Sequence, residues 1–148
     1  MEKKTTEDFS LRYGSAKTAD IAEINADFLK QNGYIAKNGI ELTELSEGYA
    51  KGRMKLDDSS NNPYGYVHGG CIFTLADTVG GSAALTFGGA VTTLSAEIHY
   101  LNPAKSTDYL EAQANVIKNG KKTAVLEAKI TDAEGENIAM VTLTFFKL

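Results

Sequence analysis

The stretch GGCIFTLADTVGGSAALTF, from Gly69 to Phe87, decides the fold. Ile72, Leu75, Ala76, Val79 and Ala83 recur at helical intervals and form an apolar stripe suited to lying on a sheet. The opposite side, with Phe73, Asp77, Gly80, Gly81 and Ala84, is uncharged except at Asp77. A helix that is apolar all round is buried all round. A single sheet covers only one side, so the pattern predicts a second subunit against the other. Gly80 and Gly81 each cost about 1 kcal/mol of helix propensity relative to alanine and ask for a packing reason, such as close approach of another backbone. Asp77 is the only formal charge in the stretch. A carboxylate in such surroundings has to be hydrogen-bonded, neutralised or used.

Outward from this helix the chain alternates between turn formers and periodic segments. Ala19 to Leu29 sets Ile21, Ile24 and Phe28 at helical spacing, with Asp20, Glu23 and Asp27 elsewhere around the axis and Gly33 as a stop. Gly39 to Leu56 alternates Ile40, Leu42, Tyr49, Met54 and Leu56 with polar residues, which predicts two short strands or one long bent one. LDDSSNNPYG, Leu56 to Gly65, reads as a loop. After the helix, Val91 to Leu101 places Leu94, Ala96, Ile98 and Tyr100 on one strand face and Thr93, Ser95, Glu97 and His99 on the other, until Pro103 stops it. Tyr109 to Ile117, Thr123 to Thr131 and Asn137 to Phe146 are further strands, joined by the hairpin turns KNGK (Lys118 to Lys121) and DAEGEN (Asp132 to Asn137). With no repeat or linker, the order implies one α+β domain.

The whole chain narrows the classes. At 148 residues, 43 % hydrophobic and 23 % charged, it has ordinary globular composition and room for one sizeable core. A net charge of −4 with scattered cations argues against a general nucleic-acid binder. Cys71 is the single cysteine, which rules out an intrachain disulfide and suits a reducing compartment. The opening residues MEKKTTEDFS lack the apolar centre of a signal peptide, and no run approaches membrane-spanning length. A cytosolic domain, not associated with membrane, is expected.

His68-Gly69-Gly70 stands where the loop enters the long helix. A helix start leaves N–H groups unpaired and carries partial positive charge, and glycine lets a ligand approach that backbone. Such a site stabilises an oxyanion developing on a carbonyl; taken alone, the glycines equally permit a tight turn. Gly69 and Asp77 are eight positions apart, so at 1.5 Å per residue they lie about 12 Å apart along one helix. An oxyanion donor and an attacking base must both come within about 3 Å of one reacting carbon or its water. One chain cannot meet that condition with these two residues, whereas two helices packed antiparallel across a two-fold axis can. If both act, the enzyme is at least a dimer.

Asn62-x-x-Gly65-x-x-His68-Gly69-Gly70, then Asp77, then a strand ending in Tyr100-x-x-Pro103-Ala104, resembles the hotdog-fold acyl-CoA thioesterases of the phenylacetate-degradation type. The resemblance spans Gly39 to Phe146. It implies a hotdog fold, an antiparallel sheet wrapped round a long central helix, with 39–147 as the core and 1–33 as an N-terminal helical extension. It also implies dimers with continuous sheets, usually paired again into tetramers, acting on an aryl- or medium-chain acyl-CoA without a cofactor. By the same resemblance, Asp77 activates water or attacks the thioester carbonyl, and the Gly69 N–H polarises that carbonyl. Asn62 places the nucleophile or water, His68 supports the turn and the thioester end, and Thr93 orients the attacking water from the partner side. Gly70 and Tyr100 are placed at the substrate, and Lys121-Lys122 falls where the family contacts the nucleotide part of coenzyme A. Phe73, Phe87, Tyr64 and Tyr66 are candidate linings of an acyl tunnel.

Other chemistries lack their residues. There is no Gly-x-Ser-x-Gly elbow, no phosphate loop and no dinucleotide-binding glycine spacing. Two histidines and one cysteine make no metal-ligand cluster. Cys71, on an apolar stripe, reads as a small packed hydrophobe, and His99 as a surface residue. Two rivals stand beside the thioesterase: a hotdog 3-hydroxyacyl-thioester dehydratase using a histidine and an acid, and a non-catalytic acyl-thioester binding module.

Overall fold

A computed structural model describes residues 20–31 and 33–148. Most of the 1–33 extension, residues 1–19 and 32, therefore lies outside the described residues. The elements are α1 (Ile21–Gln31), α2 (Tyr34–Lys37), β1 (Ile40–Ser46), β2 (Tyr49–Lys55), a 3-10 turn (Asp58–Ser60), α3 (Gly69–Leu85), β3 (Val91–Tyr100), β4 (Tyr109–Asn119), β5 (Thr123–Asp132) and β6 (Asn137–Lys147). The strands form one antiparallel sheet in the order β1-β2-β4-β5-β6-β3. It curves round α3, which touches all six strands. This is the α+β hotdog arrangement.

The segment from Gly39 to Leu56 is two strands, turned at Glu47-Gly48 where Gly48 takes φ 71°. A short helix, α2, follows the Gly33 stop and was not legible as a helix. Every residue of the expected apolar stripe of α3 is buried against the sheet. Small residues on the facing strands let the helix approach closely: Ala50, Ala112, Ala114, Ala124 and Ala128 are fully buried. At Gly52 a Cβ would stand 2.8 Å from both the Glu41 carbonyl oxygen and Val79 Cγ2. Only glycine fits there.

Three local expectations are corrected. Gly80 does not face outward: a Cβ on it would meet Leu126 Cδ1 at 3.0 Å and Leu143 Cδ1 at 3.1 Å, so its packing reason is the chain's own sheet. Ala84, assigned to the same outer side, is likewise buried. Asp27, expected on the polar side of α1, is only 4 % exposed, beside Ile24 and Phe28. In β3 the register shifts between Thr93 and Ser95, which makes Leu94 a bulge. Thr93 then pairs with buried Phe145, and Ala96, Ile98 and Tyr100 pair with Leu143, Val141 and Ala139. Strict alternation put Thr93 with Ser95, Glu97 and His99; one extra residue moves it to the helix side.

The two edges of the sheet differ. At β1 the Asn25 side chain of α1 donates to the Leu42 carbonyl at 2.8 Å and accepts from the Leu42 N–H at 2.9 Å, closing that edge. At β3 the other edge is open, ten residues long and exposed along nearly its whole length. Exposed edges of this kind invite another strand.

Candidate active site

The loop before α3 is folded by its own polar side chains. Asn62 Oδ1 accepts from the N–H groups of Tyr64 at 2.9 Å and Tyr66 at 3.1 Å. The Val67 N–H donates to the Ala104 carbonyl, and the His68 N–H to the Ser60 carbonyl, which ties the turn to the end of β3 and to the 3-10 turn. Asn62 thus spends its carbonyl end on the loop, and its Nδ2 has no partner among the described residues.

His68 is the N-cap of α3, its Nδ1 accepting from the Gly70 N–H at 2.8 Å. An accepting Nδ1 carries no proton, so the neutral ring holds its proton on Nε2 and presents a donor there. The Cys71 N–H donates to the His68 carbonyl. Of the first amides of α3, the Gly69 N–H alone has no partner among the described residues, and it opens onto a cleft of about 510 Å³ shared with Asn62, His68, Gly70, Tyr100 and Ala104. Gly70, placed at the substrate by its motif, lines that cleft but has its N–H already engaged. Tyr100 donates from its hydroxyl to the Gly69 carbonyl at 3.0 Å, and a Gly69 Cβ would stand 3.0 Å from that hydroxyl and 3.1–3.3 Å from the ring. It braces the turn as well as lining the cleft. Burial pushes the Tyr100 phenol up, which keeps it a donor.

Asp77 lies one to two helical turns from this cleft, half-buried, in a second cleft of about 350 Å³. The Thr93 hydroxyl donates to its Oδ1 at 2.7 Å. Oδ2 has no partner among the described residues, so one oxygen is fixed and the other is available for attack or for a water. The bulge at Leu94 is what turns Thr93 toward the helix. The lone acid is thus neither orphaned nor deeply buried.

Each chain therefore holds two half-sites. Asn62, His68, Gly69, Gly70 and Tyr100 gather at one end of β3, and Asp77 with Thr93 gathers at the other. Lys121 and Lys122 are exposed in the β4–β5 turn. Thr123, Phe146 and Thr92 stand in register across three strands, so this turn belongs to the Thr93 end of the sheet. Lys105 sits 5.4 Å over the Tyr66 ring, beside the first cleft.

Some expectations are not met. Of the four aromatics expected to line an acyl tunnel, only Tyr66 lines either half-site, and it lines the first; Phe73, Phe87 and Tyr64 line neither. The Asp77 cleft is instead lined by Phe28, Tyr34, Ile35 and Phe145, which no motif flagged. Phe28 and Phe145 belong to segments whose periodicity is visible in the sequence, whereas Tyr34 and Ile35 carry no such signal. Cys71 is half-buried against the core with its thiol on the Ser60 carbonyl, and burial pushes the thiol up, as for a packed residue rather than a nucleophile. His99 lies exposed beside Glu97.

Comparison with known proteins agrees with this geometry. The family model described as Thioesterase superfamily matches residues 64–139. The acyl-coenzyme A thioesterase PaaI of Escherichia coli K12 is 32 % identical over 117 residues, covering 78 % of this chain and 84 % of its own. The structure of the E. coli PaaI protein from the phenylacetic acid degradation operon superposes with a TM-score of 0.77 at 30 % identity, over 86 % of this chain and 93 % of that one. A hypothetical thioesterase protein of Streptococcus pneumoniae, solved with coenzyme A, matches with a TM-score of 0.69 at 33 % identity, over 73 % and 87 % of the two chains. Two further structures of that protein carry alanine in place of an aspartate and of a threonine 16 positions apart, the separation of Asp77 and Thr93 here. The chain belongs to the thioesterase superfamily.

Proposed function

We propose that the protein hydrolyses an aryl- or medium-chain acyl-CoA thioester to the carboxylic acid and coenzyme A, at sites each built from two chains. The reading is carried by a hydroxyl-tethered carboxylate at one end of β3 and an unpartnered helix-start amide at the other. Symmetry supplies the rest. If two open β3 edges pair antiparallel across a two-fold axis, the Thr93 end of each strand runs toward the Tyr100 end of the other, which brings Thr93 and Asp77 of each chain toward Tyr100 and Gly69 of its partner. Thr93 then acts from the partner side relative to the Gly69 turn.

At such a site the thioester oxygen accepts from the Gly69 N–H, with the α3 dipole behind it, and the His68 Nε2–H is a second donor nearby. Asp77 Oδ2 either takes a proton from the attacking water or itself adds to the carbonyl carbon, giving an anhydride that water then opens. In both routes the carbon–sulfur bond breaks, the electron pair leaves on sulfur, and the proton from water ends on the thiol. Asn62 Nδ2 remains to place water or the acyl carbonyl. Water is the only co-reactant. The exposed lysines Lys121 and Lys122, with Lys105 and Lys118, suit the phosphates of coenzyme A.

The dehydratase alternative needs a histidine that accepts a proton from substrate. His68 has its accepting nitrogen on the Gly70 N–H, so the geometry favours hydrolysis. Among the described residues no helix is long and apolar enough to cross a membrane. The single cysteine suits a reducing compartment such as the cytoplasm, and the open β3 edge supports a homo-oligomer, a dimer and then a tetramer. The test is release of free coenzyme A from phenylacetyl-, benzoyl- and hexanoyl-CoA, read with a thiol reagent. Release that disappears in Asp77→Asn is expected. Enoyl absorbance changes instead would favour the dehydratase, and neither signal would leave a binding module.

A further inference from the structure

The Asp77 cleft continues past the carboxylate. From Asp77 and Thr93 it follows α3 by way of Gly81 to Leu85, and its remaining walls come from Phe28 of α1, from Tyr34 and Ile35 of α2, from Val91 and Thr92 of β3, and from Phe145. The Tyr34 hydroxyl meets Thr74 Oγ1 of α3 at 3.3 Å, which ties that wall to the helix. Both N-terminal helices precede the segment 64–139 that the family match covers.

Gly81 differs from its neighbour. A Cβ on Gly80 would press against two leucines at 3.0 and 3.1 Å, whereas a Cβ on Gly81 would meet only Phe145, at 3.4 Å, an ordinary contact. Packing therefore explains glycine at 80 and not at 81. What a side chain at 81 would consume is the volume of the cleft.

Given the thioesterase reading, we propose that this cleft is the acyl pocket, that α1 and α2 supply its outer wall, and that Gly81 keeps it open for a medium-length linear chain. Asp77 to Leu85 spans eight residues of helix, about 12 Å. Carbon–carbon bonds of about 1.5 Å advance a zigzag chain by roughly 1.25 Å each, so that length takes roughly ten carbons. An aromatic ring next to the carbonyl would leave the Leu85 end unfilled. The reacting carbonyl sits at the Asp77 mouth, where the partner's Gly69 turn would meet it.

Two variants and one binding measurement test the assignment across the series from butanoyl- to tetradecanoyl-CoA. The wild-type kcat/KM should rise with chain length up to about decanoyl. Gly81→Val should shorten the preferred chain and lower the decanoyl-to-butanoyl ratio of kcat/KM by about tenfold or more. Tyr34→Ala, at a residue 68 % exposed and therefore tolerant of change, should flatten the rise with chain length. If both variants keep the wild-type ratio, or lose all substrates in equal proportion, the pocket assignment is overturned while the hydrolase reading stands. Calorimetric binding of the same series to Asp77→Asn separates the opposite case: affinity that depends on chain length in a protein whose wild type turns nothing over would keep the pocket and sink the hydrolase.

Discussion

Mixing two inactive chains gives the sharpest test of a shared site. One chain carries Asp77→Asn and retains its Gly69 turn. The other carries Gly69→Ala and retains Asp77. The second change displaces the turn, because its Cβ would fall 3.0 Å from the Tyr100 hydroxyl and 3.1 Å from the ring carbon bearing it. Each parent should lose about a hundredfold to a thousandfold in kcat, the usual effect of removing one oxyanion donor or its counterpart. In a two-fold dimer, each site takes Gly69 from one chain and Asp77 from the other. Random pairing in equal amounts makes about half the dimers mixed, and each mixed dimer holds one intact site and one doubly altered site. The mixture should therefore recover about one quarter of wild-type activity, far above either parent. Co-expression with two different affinity tags isolates the mixed dimer, which should reach about half. Coenzyme A release is the assay. Activity of the mixture equal to the mean of its parents would refute the shared site, since a site completed within one chain cannot be rescued by mixing.

Other predictions follow from single contacts. Thr93→Val removes the hydroxyl that holds Asp77 Oδ1 at 2.7 Å, and hydrogen bonds to charged groups are worth about 1.5–3 kcal/mol, so kcat should fall roughly tenfold to a hundredfold with KM little changed. Thr93→Ser should restore most of it; equal losses in both variants would deny the hydroxyl its role. Asn25→Ala opens the β1 edge by removing both bonds to Leu42, which at about 1 kcal/mol each predicts roughly 2 kcal/mol of lost stability, read as a lower urea midpoint. Glu111 is held by Arg53 at 2.8 Å and Lys51 at 3.1 Å on the outer face of the sheet. Burial raises its carboxyl, but the hydrogen bonds and charges of Arg53 and Lys51 outweigh that and leave it below the ordinary value of 4.5. A lowered folded-state pKa stabilises above the unfolded value and loses that contribution as pH falls through the folded one. Glu111→Gln should therefore lower the urea midpoint at neutral pH and make little difference at pH values well below 4.5; a pH-independent deficit would contradict this.

Much of the fold was legible because its signals are local. The apolar period from Ile72 to Ala83, the glycines and polar residues of the hairpin turns, and the stop at Pro103 report on neighbours in sequence, and they located α3 and the strands to within a residue or two. The motif from Asn62 to Asp77 marked the reactive groups by type. The misreadings arose where a contact from elsewhere in the chain decides. Gly80 was assigned to a partner because nothing local reveals Leu126 and Leu143, which arrive from β5 and β6. Thr93 was assigned to the wrong face because a single bulge inverts an alternation that the residues alone do not break. Phe28, Tyr34 and Ile35 carry no motif, and they matter only because α1 and α2 fold back beside Asp77.

By itself, the sequence determined that a nearly uncharged helix with one acid lies against a sheet, and that Gly69 and Asp77 stand too far apart on it to serve one carbonyl. Both follow from fixed rise and period along a single backbone. Only the tertiary structure decided which oxygen of Asp77 is held, which amide of the Gly69 turn is left without a partner, and which edge of the sheet stays open. Those are properties of distances between residues remote in sequence, and no local periodicity encodes them.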